Sequence, residues 1–350
     1  MFEDGSVLVE PTNAELAAKL GLQTSASRAF YDLIVVGSGP AGLTAALYAA
    51  REGLSVLVVE RSGVGGQAGV TERLDNFPGF PEGVTGNELA DRLRRQAERF
   101  GVEILSATEV TEIGVDGSYR WVRTNTGEEY GAFAVLLALG STYRRLGIPG
   151  EDDLIGAGVH FCATCDGAFY REREVIVIGG GNSAGEESLF LTRFASHVTI
   201  FTRDAAMSAS RVVVTKLEEH ADITILTGAE PTAFATDDAG KMRGLVVARD
   251  GASQKVAADG AFVFIGLSPN TAVVEELVAV DGGGFITDTA MESSVPGVLV
   301  AGDVRAGSTK QAASAAGEGA AAALMIRRYV EPLSSGLPPR GVRPTALVSV

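Results

Sequence analysis

Two neighbouring stretches decide how this chain folds: Phe161-Cys-Ala-Thr-Cys-Asp-Gly167 and Val175-Ile-Val-Ile-Gly-Gly-Gly-Asn-Ser-Ala184. The first contains the only two cysteines of the chain, Cys162 and Cys165. The second reads as a buried strand that enters a glycine-rich turn and then a helix, which is how a dinucleotide-binding unit begins. A dithiol beside such a turn suggests electron transfer between a nucleotide-borne reductant and a disulfide.

An earlier stretch, Asp32-Leu-Ile-Val-Val-Gly-Ser-Gly-Pro-Ala-Gly42, repeats the strand, turn and helix pattern. Its first glycine makes the turn, the second lets the backbone approach a pyrophosphate, and the third permits close packing of the helix on the sheet. The helix N-terminus supplies N–H groups for phosphates. The next strand ends at Glu60, where a carboxylate binds adenosine ribose hydroxyls. Two such units fit one bound flavin dinucleotide and one exchanging nicotinamide dinucleotide.

The ribose position of the second unit is ambiguous. The strand after the second glycine turn ends at Thr202 and is followed by Arg203 and Asp204. A guanidinium there suits a 2′-phosphate, whereas an acid suits free ribose hydroxyls. The sequence therefore leaves both NADPH and NADH open.

Length, charge and hydropathy exclude several classes of protein. The chain has 350 residues, of which 46% are hydrophobic, enough for two globular domains. The formal net charge of −15 disfavours binding to nucleic acid or anionic membranes. No apolar run reaches the ~18 residues of a spanning helix, and the N-terminus lacks the pattern of a signal peptide. We expect a cytoplasmic protein.

The two cysteines point to redox chemistry. In a reducing compartment, a Cys-x-x-Cys pair indicates redox or metal chemistry more often than a structural disulfide. A zinc site needs about four ligands. Of the three histidines, His160, His197 and His220, the last two lie well beyond the dithiol. We therefore predict no metal site.

These patterns predict an α/β fold with two Rossmann-like, three-layer ββα nucleotide-binding domains, the second inserted in the first. The predicted division is an N-terminal extension at 1–30, an FAD-binding domain at 31–144 and 270–330, an NAD(P)H-like domain carrying the dithiol at 145–269, and a flexible tail at 331–350. In the extension we expect a short strand at 5–10 and a helix at 14–20, and near the C-terminus a helix at 311–329.

With these pieces in order, the chain resembles the low-molecular-weight thioredoxin reductases from about Tyr31 to Tyr329. The motifs that carry the resemblance are Gly37 to Gly42, Gly65-Gly-Gln67, Asn76-Phe-Pro-Gly79, Cys162-Ala-Thr-Cys-Asp166, Gly179 to Ala184, and Gly302-Asp303 with Lys310-Gln-Ala312. Relatives of the glutathione reductase type instead carry the dithiol in the flavin domain, with a C-terminal histidine as acid–base partner. No histidine follows His220, which disfavours that class.

The resemblance implies a role for individual residues. Cys165 would face the flavin and accept electrons, Cys162 would attack the disulfide of thioredoxin or a thioredoxin-like protein, and Asp166 would act as acid–base group. Residues expected to hold FAD are Gly37, Gly39, Pro40, Ala41, Gly42, Glu60, Arg61, Gly66, Gln67, Asn76, Gly302, Asp303, Lys310, Gln311 and Ala312. Residues expected to hold NAD(P)H are Gly179, Gly181, Asn182, Ser183, Ala184 and Arg203.

The resemblance also implies a homodimer whose second domain alternates between two orientations. Such rotation needs hinges, for which the chain crossings near 141–150 and 266–272 are candidates. Members of the family that use NADPH carry His-Arg-Arg-x-x-x-Arg after the second strand, where this chain has Thr202-Arg-Asp-Ala-Ala-Met-Ser208. Asp204 would repel a 2′-phosphate.

Three other functions stay open from the sequence. Reduced ferredoxin could replace the pyridine nucleotide as donor, although the acidic net charge would slow encounter with an acidic ferredoxin unless a local basic patch offsets it. The chain could also be a slow redox-sensing flavoprotein. A flavin oxidase or NAD(P)H dehydrogenase with a vestigial dithiol is the third alternative, and it would survive replacement of both cysteines.

Overall fold

The computed structural model describes residues 19, 21, 23–71, 73–74 and 76–334. The chain divides into two compact units, Met1–Thr142 with Ser268–Val350, and Tyr143–Leu267. The predicted strand at 5–10 and nearly all of the predicted helix at 14–20 lie outside the described residues, as does the tail from 335 on.

Strands and helices are numbered in chain order. The strands are β1 (Phe30–Val36), β2 (Val56–Val59), β3 (Glu103–Leu105), β4 (Val110–Asp116), β5 (Tyr119–Thr124), β6 (Glu129–Leu137), β7 (Ser141–Tyr143), β8 (Val159–His160), β9 (Glu174–Ile178), β10 (His197–Thr202), β11 (Ile223–Thr227), β12 (Glu230–Thr236), β13 (Met242–Arg249), β14 (Ala252–Val256), β15 (Gly260–Val263), β16 (Leu267–Pro269) and β17 (Val298–Val300). The helices are α1 (Pro40–Arg51), α2 (Gly66–Gly69), α3 (Gly86–Arg99), α4 (Glu151–Leu154), α5 (Ala163–Asp166), α6 (Asn182–Leu191), α7 (Arg211–Glu218) and α8 (Ala312–Ser334), with a 3₁₀ helix at Gly167–Tyr170.

The first unit is built on a seven-stranded sheet in the order β3-β2-β1-β6-β5-β4, with β17 also paired to β6. Strands β1, β2, β3 and β17 run parallel to their neighbours, and β4 and β5 form an antiparallel hairpin beside β6. Alternate residues of β1 face opposite sides: Leu33 and Val35 pack in one buried cluster, and Ile34 and Val36 in another. A parallel strand covered on both faces reads as a continuous apolar run, which is why β1 is easy to find in the sequence.

Helices α1 and α8 pack closely on one face of this sheet. A Cβ on Gly319 of α8 would lie 2.1 Å from the carbonyl oxygen of Ala41 in α1, so only glycine permits this approach. Helix α8 continues to Ser334, beyond Tyr329, where the sequence pattern ends it, and so includes the first residues of the predicted tail. The helix thereby adds Val330 to the buried face that already includes Ile326.

The second unit has a five-stranded parallel sheet in the order β11-β10-β9-β15-β8, and a separate antiparallel sheet, β12-β13-β14. Val175 and Val177 of β9 pack with residues of α6 and α7 on one face, while Ile176 and Ile178 pack with residues of β13 on the other. The layers are thus sheet, sheet and helices. The predicted fold class, two Rossmann-like three-layer units with one inserted in the other, is confirmed.

The two segments that link the units pair with each other as a two-stranded sheet of β7 and β16. Asn270 ties them together beyond the strands, because its backbone N–H donates to Gly140 and its side-chain Nδ2 donates to the carbonyl of Leu139 at 2.9 Å. Its Oδ1 accepts from the hydroxyl of Thr142 at 3.1 Å. The chain therefore crosses between the units through one compact, bonded link.

Candidate functional site

The first glycine turn joins β1 to α1 and leaves room for a ligand at one glycine. A Cβ on Gly37, whose φ is +104°, would lie 2.3 Å from the carbonyl oxygen of Ala138, and one on Gly42 would lie 2.0 Å from that of Gly37. Gly39 caps α1, and a Cβ there would meet nothing within 4 Å. Gly37 and Gly42 are therefore required by packing, whereas the space beside Gly39 is open at the N-terminus of a helix that begins with Pro40.

Glu60 is buried at the end of β2 and already bonded. Its Oε2 accepts from the backbone N–H and the hydroxyl of Ser38 at 2.9 and 2.8 Å. Its Oε1 accepts from the N–H and the hydroxyl of Ser62 at 2.9 and 3.0 Å. These four bonds orient the carboxylate beside the glycine turn, and a ribose would have to share or replace those from Ser62. The neighbouring Arg61 is exposed.

Asp303 follows β17 and has an unsatisfied buried oxygen. Within the described residues, its Oδ1 has no hydrogen-bond partner. Burial raises the pKa of this carboxyl, and Glu318 adds to the rise, while Lys310 opposes it. The ammonium of Lys310 donates to the backbone carbonyls of Asp303 and Arg305. A buried, unpaired oxygen of this kind is suited to a ligand hydroxyl.

Glu318 of α8 holds the backbone beneath Asp303 in place. It accepts from the N–H of Gly302 at 2.7 Å and pairs with Arg305 at 3.0 Å. Arg305 also forms a two-pronged ion pair with Asp288. Glu318, Arg305 and Asp288 were not predicted from the sequence.

Asn76 and Gln311 lie far apart in sequence but are brought together. The side-chain Nδ2 of Asn76 donates to Oε1 of Gln311 at 3.1 Å, immediately before α8 begins at Ala312. Gly66 and Gln67 are exposed in the short helix α2, and a Cβ on Gly66 would lie 3.4 Å from Cα of Gly39. Asn76 and Gln311, and likewise Gly66 and Gly39, are therefore brought together from separate stretches of the first unit.

The two cysteines lie in the second unit, where they form a disulfide. Cys162 and Cys165 are bonded, with 5.3 Å between their Cα atoms. Cys162 is the residue before α5, and its Sγ accepts from the backbone N–H of Cys165 at 3.1 Å. Both residues are half-buried, and Asp166 ends the same short helix. The three residues predicted to be catalytic thus occupy one turn of helix.

His160, two residues before Cys162, contacts Asp166. Its Nδ1 lies 3.4 Å from Oδ2 of Asp166, and its Nε2 lies 2.7 Å from the hydroxyl oxygen of Tyr170. His160 is 7% exposed, and its ring packs against Phe262 with 5.3 Å between the ring centroids. The sequence made His160 a candidate for metal binding only. The short spacing between His160 and Asp166 was the available signal.

The second glycine turn repeats the geometry of the first. A Cβ on Gly179 would lie 2.4 Å from the carbonyl oxygen of Phe264, whereas one on Gly181 would meet nothing within 4 Å. Asn182 and Ser183 are exposed in the first turn of α6, and Ala184 is fully buried. As in the first unit, one glycine is required by packing and another faces open space at a helix N-terminus.

Arg203 and Asp204 share a cavity of about 390 Å³ at the carboxyl ends of β10 and β11. Charged residues that line it are Arg203, Asp204, Glu230, Arg249 and Asp250. The second guanidinium, Arg249, comes from the tip of the β13–β14 hairpin and was not predicted. Three acidic and two basic residues therefore line this cavity.

Glu187 in α6 is a further residue that was not predicted from the sequence. Its Oε2 is buried and has no hydrogen-bond partner in the described part of the chain. Burial raises the pKa of this carboxyl, and Glu186 adds to the rise. Among the described residues, no group of three or more His, Cys, Asp or Glu is arranged to hold a metal ion, and none of the helices has the length and apolar character to cross a membrane.

Comparison with known proteins matches residues 31–319 to the family described as pyridine nucleotide-disulphide oxidoreductase. Over 311 residues the chain is 41% identical to a thioredoxin reductase of Mycolicibacterium smegmatis, covering 87% of this chain and 98% of that protein. It is 39% identical to the thioredoxin reductase of Bacillus subtilis (strain 168), covering 88% and 97%. Among solved structures, the thioredoxin reductase from Streptococcus pyogenes MGAS5005 superposes with a TM-score of 0.82 at 36% identity, covering 87% of this chain and 100% of that one.

Proposed function

Because this chain belongs to the low-molecular-weight thioredoxin reductases, a branch of the pyridine nucleotide-disulphide oxidoreductase family, we propose that it reduces the disulfide of thioredoxin or a thioredoxin-like protein through Cys162 and Cys165. The observation that carries this proposal is the half-buried Cys162–Cys165 disulfide, held within one helical turn together with Asp166. It lies in the same unit as the second glycine turn.

The dithiol performs the exchange in two steps. Asp166 takes the proton of the Cys162 thiol, Cys162 Sγ attacks the substrate disulfide to form a mixed disulfide, and Asp166 returns that proton to the released substrate thiolate. Cys165 Sγ then attacks Cys162 Sγ, which restores the internal disulfide and releases the second substrate thiolate, and the proton of the Cys165 thiol passes to that thiolate. The substrate gains two electrons and two protons, and the dithiol loses them.

The first unit fits FAD as the cofactor. The open space beside Gly39 lies at the N-terminus of α1, where N–H groups can bind a pyrophosphate. The unpaired oxygen of Asp303 can accept from a ribitol hydroxyl, and Glu60 is oriented toward a ribose position by Ser38 and Ser62. When bound, FAD supplies the two-electron relay between donor and dithiol. We assign the first unit as the FAD-binding domain and the second as the NAD(P)H-like domain on these grounds.

For the donor, we propose a pyridine nucleotide that binds at Gly181 and Arg203, with NADH preferred over NADPH. In the cavity beside Arg203, three carboxylates outnumber two guanidiniums. A 2′-phosphate adds roughly two negative charges at neutral pH, which that lining would repel. The preference thus rests on Asp204, Glu230 and Asp250.

The dithiol proposal is tested with the single variants Cys162→Ser and Cys165→Ser. We expect each to abolish catalytic reduction of thioredoxin while the bound flavin is still reduced by the donor. If either variant retains thioredoxin turnover, the dithiol is not the path of the electrons. Light scattering on the same preparations tests the homodimer that the family resemblance implies.

The donor proposal is tested by anaerobic titration of the flavin absorbance with NADH and NADPH. We expect NADH to bleach the wild-type flavin faster and the variant Asp204→Arg to shift the preference toward NADPH by about tenfold or more. The control is Asp238→Arg, the same charge change at an exposed turn outside the cavity. Bleaching by neither nucleotide, with normal reduction by dithionite, would contradict the proposal and point to a ferredoxin-type donor.

A further inference from the structure

His160 is a buried titratable side chain next to the dithiol, and the proposed exchange reaction gives it no role. It ends β8, two residues before Cys162, and is held from three sides. Its Nε2 lies 2.7 Å from the Tyr170 hydroxyl oxygen, its ring packs on Phe262, and its Nδ1 lies 3.4 Å from Oδ2 of Asp166. A side chain fixed in this way presents one defined nitrogen to Asp166.

The position of Tyr170 is itself built into the fold. A Cβ on Gly260 of β15 would lie 2.2 Å from the Tyr170 ring, so the ring occupies space that only glycine leaves. Tyr170 is 6% exposed. When the Tyr170 O–H donates to Nε2 of His160, the neutral imidazole carries its proton on Nδ1, which is the nitrogen that faces Asp166.

We propose that His160 is a positioning residue that holds the Asp166 carboxyl and offsets its negative charge beside the dithiol. This inference rests on the proposed function, because it assigns Asp166 the acid–base role. An uncompensated carboxylate next to Cys165 disfavours a thiolate on the dithiol, and an N–H or imidazolium directed at that carboxylate relieves the effect. His160 therefore favours the thiolate form that the attack on a substrate disulfide requires.

Several groups surround His160 and Asp166. Tyr170 meets the ring of His160 from the 3₁₀ helix, and Asp166 meets it from α5. Strand β15 presents the apolar ring of Phe262. Helix α6 packs against α5 and carries the half-buried Glu187.

The test measures the pH dependence of alkylation of the dithiol, which needs neither thioredoxin nor a nucleotide. The flavin-loaded protein is reduced with a phosphine, treated with iodoacetamide across a pH series, and read by mass spectrometry of the Cys162 peptide. We expect His160→Leu to move the midpoint of this profile to higher pH by about one unit. Tyr170→Phe should shift it in the same direction by less, and His160→Asn, which keeps a donor near Nδ1, should lie between wild type and His160→Leu.

The matched control is His197→Leu, which removes a second histidine of the same unit, bonded to Thr224 on the neighbouring strand. Its profile should overlay that of the wild type. A wild-type profile in His160→Leu overturns the proposal. If that variant does not fold, an unshifted profile in both His160→Asn and Tyr170→Phe overturns it. Should the wild type alkylate as expected but fail to reduce thioredoxin, the proposed function fails while the alkylation series still decides the role of His160.

Discussion

Asp303 has a folded-state pKa above its ordinary value because its carboxyl is buried. The folded protein therefore holds the proton more tightly than the unfolded chain. The stability of the flavin-free protein falls as pH rises from the unfolded pKa through the folded one, and the penalty persists at neutral pH. Since Asp303→Asn removes the charge, we expect this variant to unfold at a higher temperature than wild type at pH 7. The gain should vanish at acidic pH, as thermal unfolding would measure.

The same variant should bind FAD more weakly, since the carboxylate is proposed to accept from the ribitol. Asp288→Asn is the matched control, because Asp288 is also buried but is paired with Arg305. We expect Asp288→Asn to lower the unfolding temperature, as loss of a buried partner does. If Asp303→Asn lowers it as much, the unpaired oxygen of Asp303 does not destabilise the protein.

Glu60 could be predicted as a site residue from the sequence, whereas the contacts of His160 could not. An acid at the end of a strand that follows a glycine turn indicates Glu60 as a ribose ligand. Its four bonds to Ser38 and Ser62 are set by tertiary packing, which the local pattern does not encode. His160 was considered only as a metal ligand, because its partners Asp166 and Tyr170 meet it only after β8, α5 and the 3₁₀ helix have folded.

In the turn between β1 and α1, Gly37 is required by packing, whereas Gly39 leaves open space for a ligand. For Gly37→Ala, a Cβ would lie 2.3 Å from a carbonyl oxygen at a φ of +104°, so we expect a loss of about 2 kcal/mol or more in the free energy of unfolding. For Gly39→Ala the side chain meets nothing within 4 Å, so stability should change by less than about 0.5 kcal/mol. FAD affinity should nevertheless fall in Gly39→Ala, because the methyl group occupies the space proposed for the pyrophosphate.

Denaturant unfolding of the flavin-free variants and titration with FAD check both expectations. The matching pair in the second turn, Gly179→Ala and Gly181→Ala, serves as the control, since neither lies in the first unit and neither should alter FAD binding. Full FAD affinity in Gly39→Ala would mean that the open space beside α1 is not the phosphate site.

The buried strands next to the glycine turns were predicted from the sequence, whereas β12 and β14 were not. Strands β1, β9 and β10 are apolar runs next to glycine turns, so sequence patterns identify them. Strand β14 has almost no buried residue, and β12 is interrupted by register shifts against β13. Strand β14 shows no alternation of buried and exposed residues, because its pairing depends on β13 and not on a buried face of its own.

The arrangement of two duplicated units, with the second inserted in the first, could be predicted because each unit carries its own glycine turn. The pairing of β7 with β16 at the chain crossings could not. Strands β7 and β16 have three residues each. They lie at opposite ends of the inserted unit, so they are far apart in the sequence. Arg249, which lines the cavity beside Arg203, was not predicted for the same reason: it lies far from Arg203 in the sequence.

The link between the units has a left-handed glycine on either side, Gly140 with φ of +68° and Gly266 with φ of +105°. We propose that the second domain changes orientation during turnover, as the family resemblance implies, and that this link changes conformation as it does. In Gly266→Val the nearest atom to the new Cβ is 3.6 Å away, so the substitution acts through backbone preference and not through a clash. A strain of about 1–2 kcal/mol would shift the balance between two orientations by roughly tenfold. We therefore expect thioredoxin turnover to fall by about that factor, measured at saturating donor, while FAD content stays normal.

Gly240→Val is the control, because Gly240 has φ of +77° and open surroundings but lies in the β12–β13 turn. Equal turnover in the two variants, at equal loss of stability, would show that the crossing is a static connection and that the alternation pivots elsewhere.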